Sequence, residues 1–215
     1  MNKLACMLAA GVLAAGASAQ AAEVYSPEYA VITVPVTTGN NLIGISVAAD
    51  ATPITSVVNG IDPAAEVKIY NGGSENNGYT TGTASSFAVS NGDAVWFEAG
   101  EAGTFYELGQ TVTAAASGTI AAVGSLTPVA TPYASACPLS SLTFSTAGST
   151  RRGNANQIHV WNGNGYDMFW YKNGTGWMSD SVGVDVPDTI PAGKGVFVEL
   201  GNGATSGTVT FAVPD

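Results

Sequence analysis

The chain has 215 residues, of which 46% are hydrophobic, 27 are glycine and only 10% are charged, against roughly 25% charged in an average soluble protein. That balance excludes intrinsic disorder, which needs low hydrophobicity, and a long helical bundle, which needs many Glu, Lys and Arg. Sixteen acidic residues against six basic ones give a net charge of −10, which excludes a general nucleic-acid binder because phosphate contacts need clustered Lys and Arg.

Residues 1–21 read as a secretory signal peptide. Lys3 supplies the positive start, Leu4 to Ala15 is small and apolar, and Ala17-Ser18-Ala19 is a small-x-small cleavage pattern. Cleavage after Ala19 or Ala21 fits equally. The apolar run falls short of the ~20 residues that span a bilayer, and no later stretch approaches that length. The mature chain is therefore expected to lack a transmembrane segment. Cys6 opens the apolar run, whereas a lipidated cysteine would close it. Cys137 is then the one remaining cysteine; its apolar flanks predict burial, and it has no partner for an internal disulfide.

From 22 to 127 the signals are strands and turns. Glu23 to Val36 is an extended, β-prone arm carrying Tyr29, Val31, Ile32 and Val34. It reads either as the first strand of its own sheet or as a strand donated to the open edge of a neighbour. Leu42–Val47, Val67–Tyr70, Ser86–Val89 and Ala94–Glu98 follow between turn-prone segments.

From 128 to 215 the clearest unit is Gln157–Met178. Ile158 and Val160 face one way, Gln157, His159 and Trp161 the other. Asn162-Gly163-Asn164-Gly165 permits a hairpin turn, Tyr166–Lys172 is extended, and Asn173-Gly174-Thr175-Gly176 turns again before Trp177. The two stretches resemble each other. Val67-Lys68-Ile69-Tyr70-Asn71-Gly72 matches Ile158-His159-Val160-Trp161-Asn162-Gly163 at an offset of 91, Gly92–Glu98 matches Gly193–Glu199 at 101, and Thr111-Val112-Thr113 matches Thr208-Val209-Thr210 at 97. No segment after the leader has good helical period. The predicted fold is all-β: two tandem antiparallel β-sandwich-like domains, 22–127 and 128–215, from an internal duplication after an N-terminal signal peptide.

Catalytic motifs are missing: there is no Gly-x-Ser-x-Gly elbow and no Ser-x-x-Lys pair, and the one histidine, His159, lies mid-strand. No catalytic, cofactor-binding or metal-ligating residue is assigned. Asp180, Asp185 and Asp188 are close enough to raise the question of calcium, but their spacing fits no known calcium loop and reads as a solvated loop. Asn173-Gly174-Thr175 has the form of a glycosylation acceptor. The aromatic cluster Trp161, Tyr166, Trp170, Tyr171 and Trp177 is the most distinctive feature. Cross-strand packing, a protein interface and a carbohydrate platform all fit it.

Charge is uneven. Glu23 to Thr127 carries ten acids and the single base Lys68; Pro128 to Asp215 carries six acids and four bases. Such asymmetry favours head-to-tail contact, which in repetition gives a filament or lattice. The leading expectation is a secreted, non-enzymatic structural or surface protein without a cofactor, extracellular, on the cell surface or in the periplasm. Its expected partners are itself or envelope components, with N-terminal strand addition as one means. The alternative is a secreted carbohydrate-binding or adhesion module that uses an exposed aromatic face to hold glycans.

Overall fold

The computed structural model describes residues 28–70, 78–114, 116–120, 126–202, 204 and 206–214. The expected signal peptide, Cys6 and the arm before Glu28 lie outside them. The described chain is all-β, and its helices are short: α1 (Ile54–Val57) and 3-10 turns at Leu139–Ser141 and Arg152–Asn154. Among the described residues no helix is long and apolar enough to cross a membrane.

The first half contains β1 (Tyr29–Val36), β2 (Gly39–Gly44), β3 (Thr52–Pro53), β4 (Val58–Asn59), β5 (Glu66–Tyr70), β6 (Tyr79–Thr83), β7 (Ala88–Val89), β8 (Ala94–Ala99) and β9 (Gly103–Gln110). They form sheets in the orders β1-β9-β4, β2-β8-β5-β6 and β3-β7. The second half contains β10 (Ala116–Ile120), β11 (Thr127–Ala130), β12 (Cys137–Pro138), β13 (Thr143–Phe144), β14 (Gln157–Trp161), β15 (Tyr166–Lys172), β16 (Gly176–Ser179), β17 (Thr189–Ile190), β18 (Gly195–Glu199) and β19 (Gly207–Phe211). Their orders are β10-β19-β13, β11-β18-β14-β15-β16 and β12-β17. The described pairings within these sheets are antiparallel, and the second half repeats the order of the first with β16 added at one edge.

Register repeats as well as order. Val67 lies opposite Phe97, and Ile158 lies opposite Val198. Glu107 lies opposite Ile32 and Val58; Val209 lies opposite Gly118 and Phe144. Two of the three sequence matches coincide with these registers. The third does not: Thr111–Thr113 follows β9, while Thr208–Thr210 is inside β19.

In each half the three-stranded and larger sheets fill one core. Ile32, Val34, Val58 and Phe105 meet Ile43, Val67, Val95 and Phe97 in the first. Val209 and Phe211 meet Ile158, Val196 and Val198 in the second, with the buried Cys137. The strands supply these cores by alternation: Ile32, Val34 and Val36 point inward from β1 while Tyr29 and Val31 point out. At the β14–β15 hairpin Gly163 has φ +100°, a conformation that L side chains rarely adopt.

The halves join through the faces of their larger sheets that point away from these cores. Leu42, Ala94, Ala130 and Phe197 are buried together there. The contact is reciprocal: Gly44 N–H donates to Gly193 O and Ala130 N–H donates to Gly92 O, each at 2.8 Å. Ala130 holds in β11 the place that Gly44 holds in β2, and Gly195 holds in β18 the place of Ala94 in β8. A methyl group on Gly44 would sit 2.4 Å from the Ala130 Cβ, and one on Gly195 would sit 2.9 Å from the Ala94 Cβ. Each pair thus holds one glycine and one alanine, which lets the backbones approach.

Candidate functional site

The structure divides the predicted aromatic cluster. Tyr166, Met168 and Trp170 project from one face of β15, and Phe169 and Tyr171 from the other, as alternation requires. Tyr171 lies opposite Trp177 in register, with the rings 5.6 Å apart. The Trp177 indole N–H donates to Leu139 O (2.9 Å), and its ring packs by Phe144, so Trp177 closes the second core. Trp170, half-buried, faces Met178 on β16. Trp161 and Tyr166 alone of the five reach the space between the halves, a cleft of about 660 Å³.

That cleft also takes Tyr79 and Trp96 from the first half, with Asn40, Lys68 and Thr81. Trp96 lies 5.3 Å from Trp161 at 80°, and Trp161 lies 5.1 Å from Tyr166 at 64°. Tyr166 in turn meets Phe197 at 5.6 Å, edge to face. These edge-to-face contacts are the arrangement that ring quadrupoles favour. The Trp161 indole N–H donates to Asn40 O (2.8 Å), and Lys194 Nζ donates to Trp161 O (3.1 Å). Burial lowers the Lys194 pKa. Sequence reasoning missed Trp96 and Tyr79: Tyr79 is the one aromatic in β6, Trp96 has only the inward Phe97 beside it in β8, and both are far along the chain from the cluster.

His159 also points from β14 toward this side, and is buried. Its Nε2 lies 3.4 Å from Glu199 Oε2, an ion-pair distance without a hydrogen bond, and its ring lies 6.3 Å from Tyr166. Burial lowers its pKa, opposed by the Glu199 carboxylate. Asp180 pairs with Arg152 at 2.8 Å, while Asp185 and Asp188 are exposed. Among the described residues no group of three or more His, Cys, Asp or Glu is placed to hold a metal ion. Asn173 sits exposed in the β15–β16 turn.

A second surface lies on the first half. β1 is paired with β9 along all eight residues, so Ile32 and Val34 fill their own core. On the outer face Val31 lies opposite Leu108, Thr33 opposite Tyr106, and Tyr29 opposite Gln110. Tyr29 and Val31 are each 66% exposed, Leu108 55% and Tyr106 45%. Pro35 and Thr104 complete the face, with Asn59 beside Tyr106, so its outward side chains include no charge. The repeat does not require this composition: β19 places Thr208 and Thr210 where β9 has Tyr106 and Leu108. β1 is also a terminal strand, so one of its edges has no strand partner among the described residues.

Inside the same sheet, Glu107 points into the core and is fully buried, at the place where β19 has Val209. Its Oε2 accepts from Ser46 N–H (2.8 Å), while Oε1 has no hydrogen-bond partner. Burial pushes its pKa up to about 7, against the hydrogen bonds from the Ser46 and Val47 amides. Ser46 Oγ donates to Thr131 O (2.7 Å) and accepts from Gly193 N–H (2.8 Å), so the buried carboxyl is wired to the junction between halves.

No family model, curated protein or solved structure matches the chain.

Proposed function

We propose that the chain is an exported, non-enzymatic structural protein that self-associates through the outer face and free edge of β1. The observation that carries this reading is the uncharged outer face of β1 and β9, with Tyr29, Val31, Tyr106 and Leu108 exposed on it, in a chain of net charge −10. Charge depletion with aromatic enrichment marks the centre of protein interfaces. A face without charge lets two acidic copies meet without burying like charges. The edge of β1 that has no strand partner among the described residues offers backbone donors and acceptors to a second strand, the usual route of strand addition. Here β1 stays in its own sheet and recruits a neighbour at its edge. Envelope components with a similar strand are the second class of partner.

The same reading treats the halves as two sandwich-like domains from a duplication, supported by shared strand order and register. It places their junction between Gln110 and Ala116, earlier than 127/128, because Ala116–Ile120 pairs with the C-terminal strand. Export rests on the pattern of residues 1–21.

Leu108→Asp tests the interface. Full burial of a leucine is worth roughly 1.5–3 kcal/mol, so losing it and adding a charge weakens association by about 30-fold or more. Light scattering should give wild-type particles of at least two chains and a monomer for the variant, with unchanged circular dichroism. A wild-type monomer at high concentration, or a variant that associates as well as wild type, contradicts the proposal.

A further inference from the structure

We propose that the cleft between the two halves is a binding site for a neutral oligosaccharide, with Tyr79, Trp96, Trp161 and Tyr166 as stacking surfaces. This goes beyond self-association and uses a different surface. The cleft volume, about 660 Å³, falls inside the ~300–1,000 Å³ common for ligand sites. It is an open trough between two sheets, and its walls mix rings with hydrogen-bonding groups.

The chemistry selects the ligand class. A pyranose has an apolar C–H face that lies on an aromatic ring and an equatorial rim of hydroxyls that needs donors and acceptors. The cleft provides both. Trp96 stands at 80° to Trp161 and Trp161 at 64° to Tyr166, so successive faces meet a ligand from different directions. The Asn40 amide, the Thr81 hydroxyl and the Tyr166 hydroxyl have no hydrogen-bond partner among the described residues. The Trp161 ring is held in place by its bond to Asn40 O, so less ordering accompanies binding.

Charge excludes the competing ligands. Among the described residues Lys68 is the one cationic side chain lining the trough, and it is paired with Glu66 at 3.1 Å. The half that bears it carries ten acids, which disfavours phosphates, nucleotides and acidic glycans. A purely apolar ligand would leave the polar wall unsatisfied.

The test titrates the purified protein with cellohexaose, maltohexaose, mannohexaose and chitohexaose, reading tryptophan fluorescence and calorimetric heat. At least one sugar should saturate, with a shift in tryptophan emission. Tyr166→Ala should weaken that sugar by about tenfold or more. Thr81→Trp, at an exposed position, should block the trough without touching either core. Trp170→Phe, outside the cleft, should bind as wild type. Repeating the titration in Leu108→Asp separates sugar binding from self-association. No saturation with any sugar at millimolar concentration overturns the proposal, as does unchanged affinity in folded Thr81→Trp or Tyr166→Ala.

Discussion

Gly44→Ala should lower the stability of the whole molecule by about 3 kcal/mol, or roughly 6–12 °C in Tm for a chain of this size. The backbone conformation is not the cause. The added methyl would sit 2.4 Å from the Ala130 Cβ, 2.9 Å from Lys194 O and 3.0 Å from Lys194 C, where two backbones meet. Real Cβ contacts are not that short, so β2 or β11 must shift, and the reciprocal bonds from Gly44 to Gly193 and from Ala130 to Gly92 stretch together. The exchange Gly44→Ala with Ala130→Gly removes the methyl–methyl contact and leaves the one to Lys194. The double variant should therefore recover part of the loss, a coupling that a thermal-melt double-mutant cycle reads directly. A neutral single variant, or a double variant as unstable as the single one, would mean that the halves do not pack as described.

Glu107→Gln should stabilise the protein above pH 7 and remove a pH dependence that the wild type shows. The Glu107 carboxyl has its pKa raised from 4.5 to about 7 by burial, so the folded chain holds that proton more tightly than the unfolded chain. The Glu107 contribution to stability is then greatest below pH 4.5, declines as pH rises toward 7, and is flat beyond. The decline is about 3 kcal/mol at 1.36 kcal/mol per pKa unit. His159 contributes with the opposite sign: its lowered pKa removes stability as pH falls below its ordinary 6.5. The difference between wild type and Glu107→Gln isolates the carboxyl, and Gln retains an acceptor for Ser46 N–H. Denaturant melts from pH 4 to 8 check this. Parallel curves for the two proteins would contradict it.

The parts of the fold that local pattern reaches are those written into short stretches. Alternation in Tyr29–Val36 and in Gln157–Trp161 gives strands and their inward faces, and Asn162–Gly165 gives the hairpin. The matched pairs at offsets 91 and 101 coincide with strands that occupy the same places in both halves. The match at 97 misleads because three threonine- and valine-rich residues look like a strand wherever they fall, and Thr111–Thr113 falls after β9. That Ala116–Ile120 pairs with Gly207–Phe211 depends on a partner far along the chain, which no local signal marks. The cleft stays hidden for the same reason, since it takes Trp96 from β8 and Trp161 from β14. Alternation along Tyr166–Lys172 separates Tyr171 from Tyr166 and Trp170, and the register of β15 with β16 sets Trp177 beside Tyr171, a pairing that no local signal marks. Glu107 lies two residues on from the inward Phe105, and its burial is visible only through the β1–β9 register, because Gly103–Gln110 is not among the predicted strands.

The outer face of β1 is the centre of the functional account, and hydrogen–deuterium exchange across a protein concentration series tests it most directly. Amides of Tyr29–Val36 on the free edge should exchange more slowly as concentration rises, with Leu108→Asp abolishing the change. Exchange in β1 that is independent of concentration, while protection grows elsewhere on the molecule or nowhere, would place the contact between copies on another surface or remove it.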